Sequence, residues 1–193
     1  EHYNVDHTKR KAIRSRYQIH DDELLIGTMV RIDPGKGALD FAKSFSYLDS
    51  QIQSKVKYII IGEPSRKGQR KADESPYEPH CEEYLREIES FIAKEHLKEK
   101  IILTGYQDDV TGNLSAMDVF VFPSRDELYS LVMLDAMAMG LPIVATRAGG
   151  NLEQITDGNN GSHYEVGNSE DLAKKISKYI NHPETRKQHG VAA

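Results

Sequence analysis

At 193 residues, 38% hydrophobic and 28% charged, the chain is long enough to bury one sizeable core and has the composition of a globular protein. A formal net charge of -5 gives no electrostatic support for binding nucleic acid. The longest apolar runs are strand-sized, far short of the ~20 residues that a membrane-spanning helix needs.

The single cysteine, Cys81, has no partner for an internal disulfide, and no leader-like run opens the sequence. A reducing, cytoplasmic setting is therefore expected. A start without Met and an abrupt stop at H-G-V-A-A, residues 189–193, predict a domain cut from a longer protein.

Residues 8–18 hold Lys9, Arg10, Lys11, Arg14 and Arg16 and read as a basic helix with a solvated face. An acidic turn at 21–23 precedes an apolar strand. The loop R-I-D-P-G-K-G at 31–37 then opens onto a helix over 38–48, where Leu39, Phe41, Ala42, Phe45 and Leu48 recur at near-helical spacing. Residues 56–62, β-branched and aromatic, form the second strand. Pro, Gly, Ser and charge without any period make 63–80 a long surface loop. An amphipathic helix over 82–97 places Leu85, Ile88, Phe91, Ile92 and Leu97 on or near one face, and a third strand follows at 100–106. A short helix at 110–117 leads to a buried strand at 118–122. The Leu, Met and Ala of 130–139 favour a helix, with Ser130 as N-cap and Gly140 and Pro142 closing it. A strand at 142–146, a short helix at 151–158 and a weak strand at 161–166 come next. A last helix over 169–180, ended by His182 and Pro183, completes the chain.

Strands alternating with helices along the whole length, without repeats or an internal linker, predict one domain over 1–193. Its class is α/β: a doubly wound, Rossmann-like parallel sheet with helices on both faces. Ligands of such sheets sit outside the carboxyl ends of the strands. Three loops then fall on the ligand edge: 31–37, 105–109 and 123–130.

The chemistry concentrates there. Glu127 precedes the helix begun by Ser130, and Asp135 lies about one turn into it. Unpaired backbone N–H groups and a positive dipole end suit an anion, and the two carboxylates suit hydroxyls. Phosphate plus polyol is the chemistry of a nucleotide sugar. Arg31 and Lys36 are suited to phosphate, and Gly35 and Gly37 allow close backbone approach. A P-loop is excluded, because G-K-G at 35–37 lacks the hydroxyl and the spacing to Gly27 is too long. No strand is followed by G-x-G-x-x-G, and D-x-D occurs nowhere. Tyr106 is an aromatic just after a strand, a position where packing is common. Glu63 reads as a loop cap, and Gly149 and Gly150 as structural glycines that also border a sugar pocket. His20, His80 and Cys81 have no metal-site spacing, so no metal is expected.

Pro123 and Ser124, then Glu127, seven residues, Asp135, A-M-A-x-G-x-P and a glycine pair resemble the donor-binding signature of family 4 retaining GT-B glycosyltransferases. R-x4-K-G at 31–37 is similar to a second element of that family, and the resemblance extends over almost the whole chain. Two departures stand out: Asp135 where Glu is usual, and L-Y-S-L at 128–131 where a Gly-Phe-Gly-like run is common. The resemblance implies the C-terminal, donor-binding domain of a two-domain enzyme whose acceptor domain is absent. It assigns catalytic positions to Arg31, Lys36 and Glu127. Arg31 and Lys36 neutralise the donor diphosphate with Ser130, Gly35 and the amides of Leu131 and Val132. Glu127 accepts from sugar hydroxyls, Asp135 from the ribose, and Tyr106 borders the base. The implied reaction is metal-independent sugar transfer from a nucleotide-diphosphate sugar with retention, needing no cofactor beyond the donor. The acceptor, saccharide or lipid-linked, and any peripheral membrane attachment belong to the missing domain. A catalytically silent nucleotide-sugar-binding module and a GT-B epimerase are the alternatives that share this donor grip.

Overall fold

The computed structural model describes residues 5–68 and 75–193. Six strands form one all-parallel sheet: β1 (Leu24–Met29), β2 (Val56–Ile61), β3 (Ile101–Leu103), β4 (Val119–Phe122), β5 (Ile143–Thr146) and β6 (Gly161–Tyr164). Their order across the sheet is β3-β2-β1-β4-β5-β6. β1 and β2 run in register from Leu24 beside Val56 to Met29 beside Ile61, and β4 flanks β1 through Ile26–Val119 and Gly27–Phe120. Every residue of β4, β5 and β6 is buried, as a parallel sheet covered on both faces requires. This is the expected doubly wound α/β architecture. The strand order reverses between β1 and β4, and the crevice outside the carboxyl ends of a switch point is where such sheets hold ligands.

The helices are α1 (His7–Arg16), α2 (Ala38–Ser44), α3 (Ser50–Ser54), α4 (Pro79–Lys94), α5 (Val110–Ala116), α6 (Leu131–Ala138), α7 (Asn151–Gln154), α8 (Ser169–Asn181) and α9 (Pro183–Ala192). α2 packs against α4 and α8, while α1 lies on α5 and α5 on α6. The Tyr58 ring of β2 stacks on Phe41 of α2 at 4.4 Å between centroids, with Phe45 edge-on at 5.1 Å. Burial pushes the Tyr58 phenol pKa well up, and its hydroxyl lies 3.3 Å from Ser44 Oγ.

Several local readings change. The helix expected over 38–48 ends at Ser44 and tightens into a 3-10 turn at Phe45–Tyr47 before the separate α3. α4 starts at Pro79, ahead of the expected 82, because proline suits the first helical position. Pro183 does the same: it follows the end of α8 and opens α9, a helix the sequence reading missed. α9 is held to α8 by the Tyr179 hydroxyl, 2.7 Å from His189 Nδ1. Of the surface loop expected at 63–80, residues 69–74 lie outside the described residues. Its flanks pair, the Lys67 N–H donating to the Pro76 carbonyl (2.9 Å) and the Glu78 N–H to that of Ser65 (2.8 Å).

The basic helix is only partly a solvated face. Arg10 and Arg14 clasp the carboxylate of Asp118 at 2.8 and 3.2 Å, and Arg14, buried, also donates to the carbonyls of His20 (2.8 Å) and Glu23 (2.6 Å). Asp118 Oδ2 accepts the Leu25 N–H at 2.7 Å. Lys11 and Arg16 remain exposed. The charge run is thus a clamp that fixes α1 to the start of β4.

Candidate functional site

The loops after β1 and β4 meet at the switch point. The first makes a one-turn 3-10 helix, Pro34–Lys36, whose start is set by Asp33 Oδ1 accepting the Gly35 N–H at 2.8 Å. Gly37 follows at φ 68°, and a Cβ there would sit 2.1 Å from the carbonyl oxygen of Pro123. Its glycine is therefore required by contact between the two loops, not by ligand approach. Gly35 is exposed, and its carbonyl accepts the Arg125 N–H at 2.8 Å. Arg125 also pairs with Asp40 at 2.6 Å.

The second loop is braced from below. Ser124 is buried; its carbonyl accepts the Thr146 hydroxyl, and Thr146 Oγ1 accepts from Asn151 at 2.8 Å. Gly149 and Gly150 press against the backbone at 127–128, and a Cβ on Gly150 would lie 1.7 Å from the Leu128 carbonyl oxygen. The Gly150 N–H donates to the Glu127 carbonyl at 2.8 Å. The glycine pair is thus the floor under Glu127.

Those loops bring the expected side chains together. Lys36 Nζ lies 2.8 Å from Glu127 Oε2 and 3.5 Å from Ser124 Oγ, with both ion-pair partners largely shielded. The acid that pairs with Lys36 is neither Asp33, three residues before it, nor Asp40, four after, but Glu127, which the tertiary fold brings in. The guanidinium of Arg31 is exposed and has no ion pair or hydrogen bond among the described residues. Ser130 caps α6, its Oγ accepting the Met133 N–H at 3.3 Å. Gln154 grips the same residue by both backbone groups, accepting its N–H at 3.0 Å and donating to its carbonyl at 3.1 Å. Gln154 was not singled out from sequence, because nothing in N-L-E-Q marks a contact 24 residues away. With Ser130 and Met133 satisfied, Leu131 and Val132 are the first-turn amides left without an acceptor among the described residues.

Two cavities make one groove across this edge. The first, about 270 Å³, is lined by Arg31, Lys36, Glu127, Ser130 and Leu131 among others. The second, about 400 Å³, is lined by Glu63, Arg66, Tyr106 and Gln107 among others. Met29, Val30, Arg31 and Val132 line both, so Arg31 stands at the junction. Tyr106 is exposed on the loop after β3, and a hydrogen bond to Asp108 pushes its phenol pKa up. Glu63 is more than a loop cap: it takes Arg66 at 2.7 and 3.2 Å and the Tyr77 hydroxyl at 2.8 Å. The Arg66 bond holds the Glu63 carboxyl below its usual range. Asp135 lines neither cavity. It is half-buried, three residues after Val132 and on the same helical face, and its carboxylate has no partner among the described residues.

The groove thus offers a guanidinium and two helix amides with no partner among the described residues, beside a Lys–Glu pair: groups of the kind that bind anions and hydroxyls. The model of the family described as Glycosyl transferases group 1 matches residues 9–193. The chain belongs to that family. Among curated relatives it is 26% identical over 190 residues to the capsular polysaccharide biosynthesis glycosyltransferase CapM of Staphylococcus aureus, covering 98% of this chain and 45% of CapM. It is 38% identical over 107 residues to the uncharacterized glycosyltransferase MJ1178 of Methanocaldococcus jannaschii, covering 54% of this chain and 30% of that protein. The chain thus spans less than half the length of these relatives. Anabaena HepE, solved in complex with UDP and glucose, shares the fold with a TM-score of 0.84 at 21% identity, over 98% of this chain and 47% of HepE. The C-terminal domain of the group 1 glycosyl transferase LpcC from Francisella tularensis matches with a TM-score of 0.80 at 22% identity, over 98% of this chain and 91% of that one. Among the described residues no helix is long and apolar enough to cross a membrane.

Proposed function

We propose that this chain is the C-terminal, donor-binding half of a retaining GT-B glycosyltransferase that uses a nucleotide-diphosphate sugar without a catalytic metal. The observation that carries the reading is Arg31. Among the described residues its guanidinium has no partner, and it stands where the two cavities join, beside the amides of Leu131 and Val132, which have no acceptor among those residues. A diphosphate laid there receives charge-assisted bonds from Arg31 and Lys36 and the positive end of α6. Those groups are in place before reaction, so charge growing on the departing phosphate is met without reorganisation. The sugar then lies toward Glu127 and the base toward Tyr106. Lys36 has three donors, enough to hold Glu127 and a phosphate oxygen together. Asp135, one turn behind Val132, is the acceptor for the ribose. Retention follows if the acceptor hydroxyl attacks the face that the leaving group vacates. The UDP and glucose named for HepE and the group 1 match support a nucleotide sugar as the ligand class. The rest of the enzyme, including acceptor recognition, falls outside this chain.

Calorimetry of the chain with UDP and other nucleoside diphosphates tests the proposal, first without and then with Mg2+ or Mn2+. Binding of at least one diphosphate in metal-free buffer is expected. Binding that begins only when the metal is added would overturn the metal-free mechanism.

A further inference from the structure

Outside the groove, one cluster has no role in the proposed reaction. Asp33, His80 and Cys81 bring a carboxylate oxygen, an imidazole nitrogen and a thiol sulfur within 4.8 Å of one another. Cys81 Sγ lies 3.3 Å from His80 Nε2 and 3.5 Å from Asp33 Oδ2, and His80 Nε2 lies 3.8 Å from the same oxygen. Zinc bonds of ~2.0–2.3 Å at tetrahedral angles put neighbouring ligand atoms roughly 3.3–3.6 Å apart. The three observed edges therefore outline one face of a zinc tetrahedron with little adjustment.

The geometry points to a Zn2+ site formed by Asp33, His80 and Cys81. Sulfur, imidazole and carboxylate are a donor set that zinc accepts, and the sulfur disfavours hard cations such as Mg2+ and Ca2+. The carboxylate is held in advance: Oδ1 of Asp33 accepts the Gly35 N–H at 2.8 Å, leaving Oδ2 for the metal. Such support of a ligand by a second hydrogen bond is what tunes protein metal sites. Pro79 fixes the first turn of α4, from which His80 and Cys81 both project. Cys81 is fully buried, whereas His80 is exposed and lines an open cleft of about 580 Å³ with Pro34, Gly35 and Glu83 among others. That cleft gives a metal its way in and leaves the fourth position to water. On binding, the Cys81 thiol gives its proton to solvent and the thiolate becomes the ligand. Neither cavity of the donor groove is lined by any of the three residues. The zinc would instead tie the loop bearing Arg31 and Lys36 to α4.

The test uses the chain stripped with a chelator and titrated with Co2+, then Zn2+. One equivalent of Co2+ should bring a thiolate-to-cobalt charge-transfer band that Zn2+ abolishes, and Zn2+ should raise the melting temperature. Cys81→Ser should remove the band. Exposed His80→Gln and Asp33→Asn, whose amide oxygen still serves Gly35, should each weaken Zn2+ binding by at least about tenfold. Melts of the metal-free variants report that they are folded, and His80→Gln leaves the core untouched. A wild type without the band, or Zn2+ affinity unchanged in both His80→Gln and Asp33→Asn, would overturn the site. Since the readout involves no nucleotide, its failure is distinct from failure of the donor-site proposal.

Discussion

Arg31, Lys36 and Asp135 differ in what holds them before a ligand arrives, and that difference separates their expected mutational signatures. Arg31 has no partner among the described residues, so Arg31→Met should leave the melting temperature unchanged while removing a charge-assisted phosphate contact. Loss of such a bond is worth roughly 1.5–3 kcal/mol, about ten- to a hundredfold in nucleoside diphosphate affinity. Lys36→Met should weaken diphosphate binding to a similar degree, with a difference: Glu127 is left without its cation. The empty chain should then lose a little stability, within the ~1 kcal/mol typical of partly exposed pairs. Calorimetry beside thermal melts reads both quantities. If diphosphate affinity survives both substitutions, the phosphates do not sit between these cations. Asp135→Asn keeps shape and removes charge. It should weaken nucleoside diphosphate binding and spare the melting temperature, because no described residue depends on that carboxylate. A lower melting temperature with intact affinity would make Asp135 a complement to the α6 dipole instead.

At the scale of elements, the site depends on how the ends of α1, α6 and α9 are fastened. Ser130→Ala removes the cap of α6 and should cost about 1 kcal/mol, read as a lower denaturation midpoint. α1 is tied to β4 by Asp118, which serves Arg10, Arg14 and the Leu25 N–H together. Asp118→Ala leaves Arg14 buried without its carboxylate, a change that commonly costs ~3–5 kcal/mol. Urea unfolding would show it, and a loss below half a kcal/mol would mean that Arg14 is satisfied by the carbonyls alone. α9 rests on His189, whose pKa is depressed by burial and, less, by Lys178. Its ordinary value is about 6.5, so the unfolded chain takes up the proton first as pH falls. The stability from this contact is fully present above that value and is lost as pH falls toward the lower folded value. Melting temperature should therefore drop more steeply below neutrality in wild type than in His189→Asn. Parallel slopes would show that the imidazole carries none of the acid sensitivity.

For the whole molecule, a groove at the edge of one sheet has a consequence for activity. The proposed donor sites are open to solvent on the side where Leu128, Tyr129 and Leu131 are exposed, and none of the described residues covers them. Positioning of two reactants contributes several kcal/mol to transfer, and a donor held alone forgoes it. The isolated chain should therefore bind nucleoside diphosphate yet transfer no sugar. Sugar product from these residues alone, with any donor and acceptor, would show that one domain suffices.

The path from residues to fold was legible where chemistry is local. Parallel strands buried on both faces read as continuous apolar runs, as at 119–122 and 143–146, and the start of α6 carried its own cap in Ser130, whereas the apolar period placed the start of α4 at 82, three residues after Pro79. Arg31, Lys36, Glu127 and the amides of α6 stood out because a glycine-bearing loop and a helix N-terminus suit an anion and, above all, because R-x4-K-G and the E-x7-acid string resemble elements of a known family. What sequence could not determine was pairing across distance. The partner of Lys36 is 91 residues away, that of Arg14 is 104 away, and the carboxylate facing Cys81 is 48 away. A run of cations looks the same on paper whether it faces water or clasps a buried Asp118. Gly37 reads as a glycine for ligand approach and Gly150 as a structural one, but the backbones they touch, at Pro123 and Leu128, are visible only in the fold. Composition and period fix which face of each element is apolar, because burial acts on every residue of that face. Only the tertiary structure decides which polar groups end up sharing a site, because a single long-range contact leaves no periodic trace in the chain.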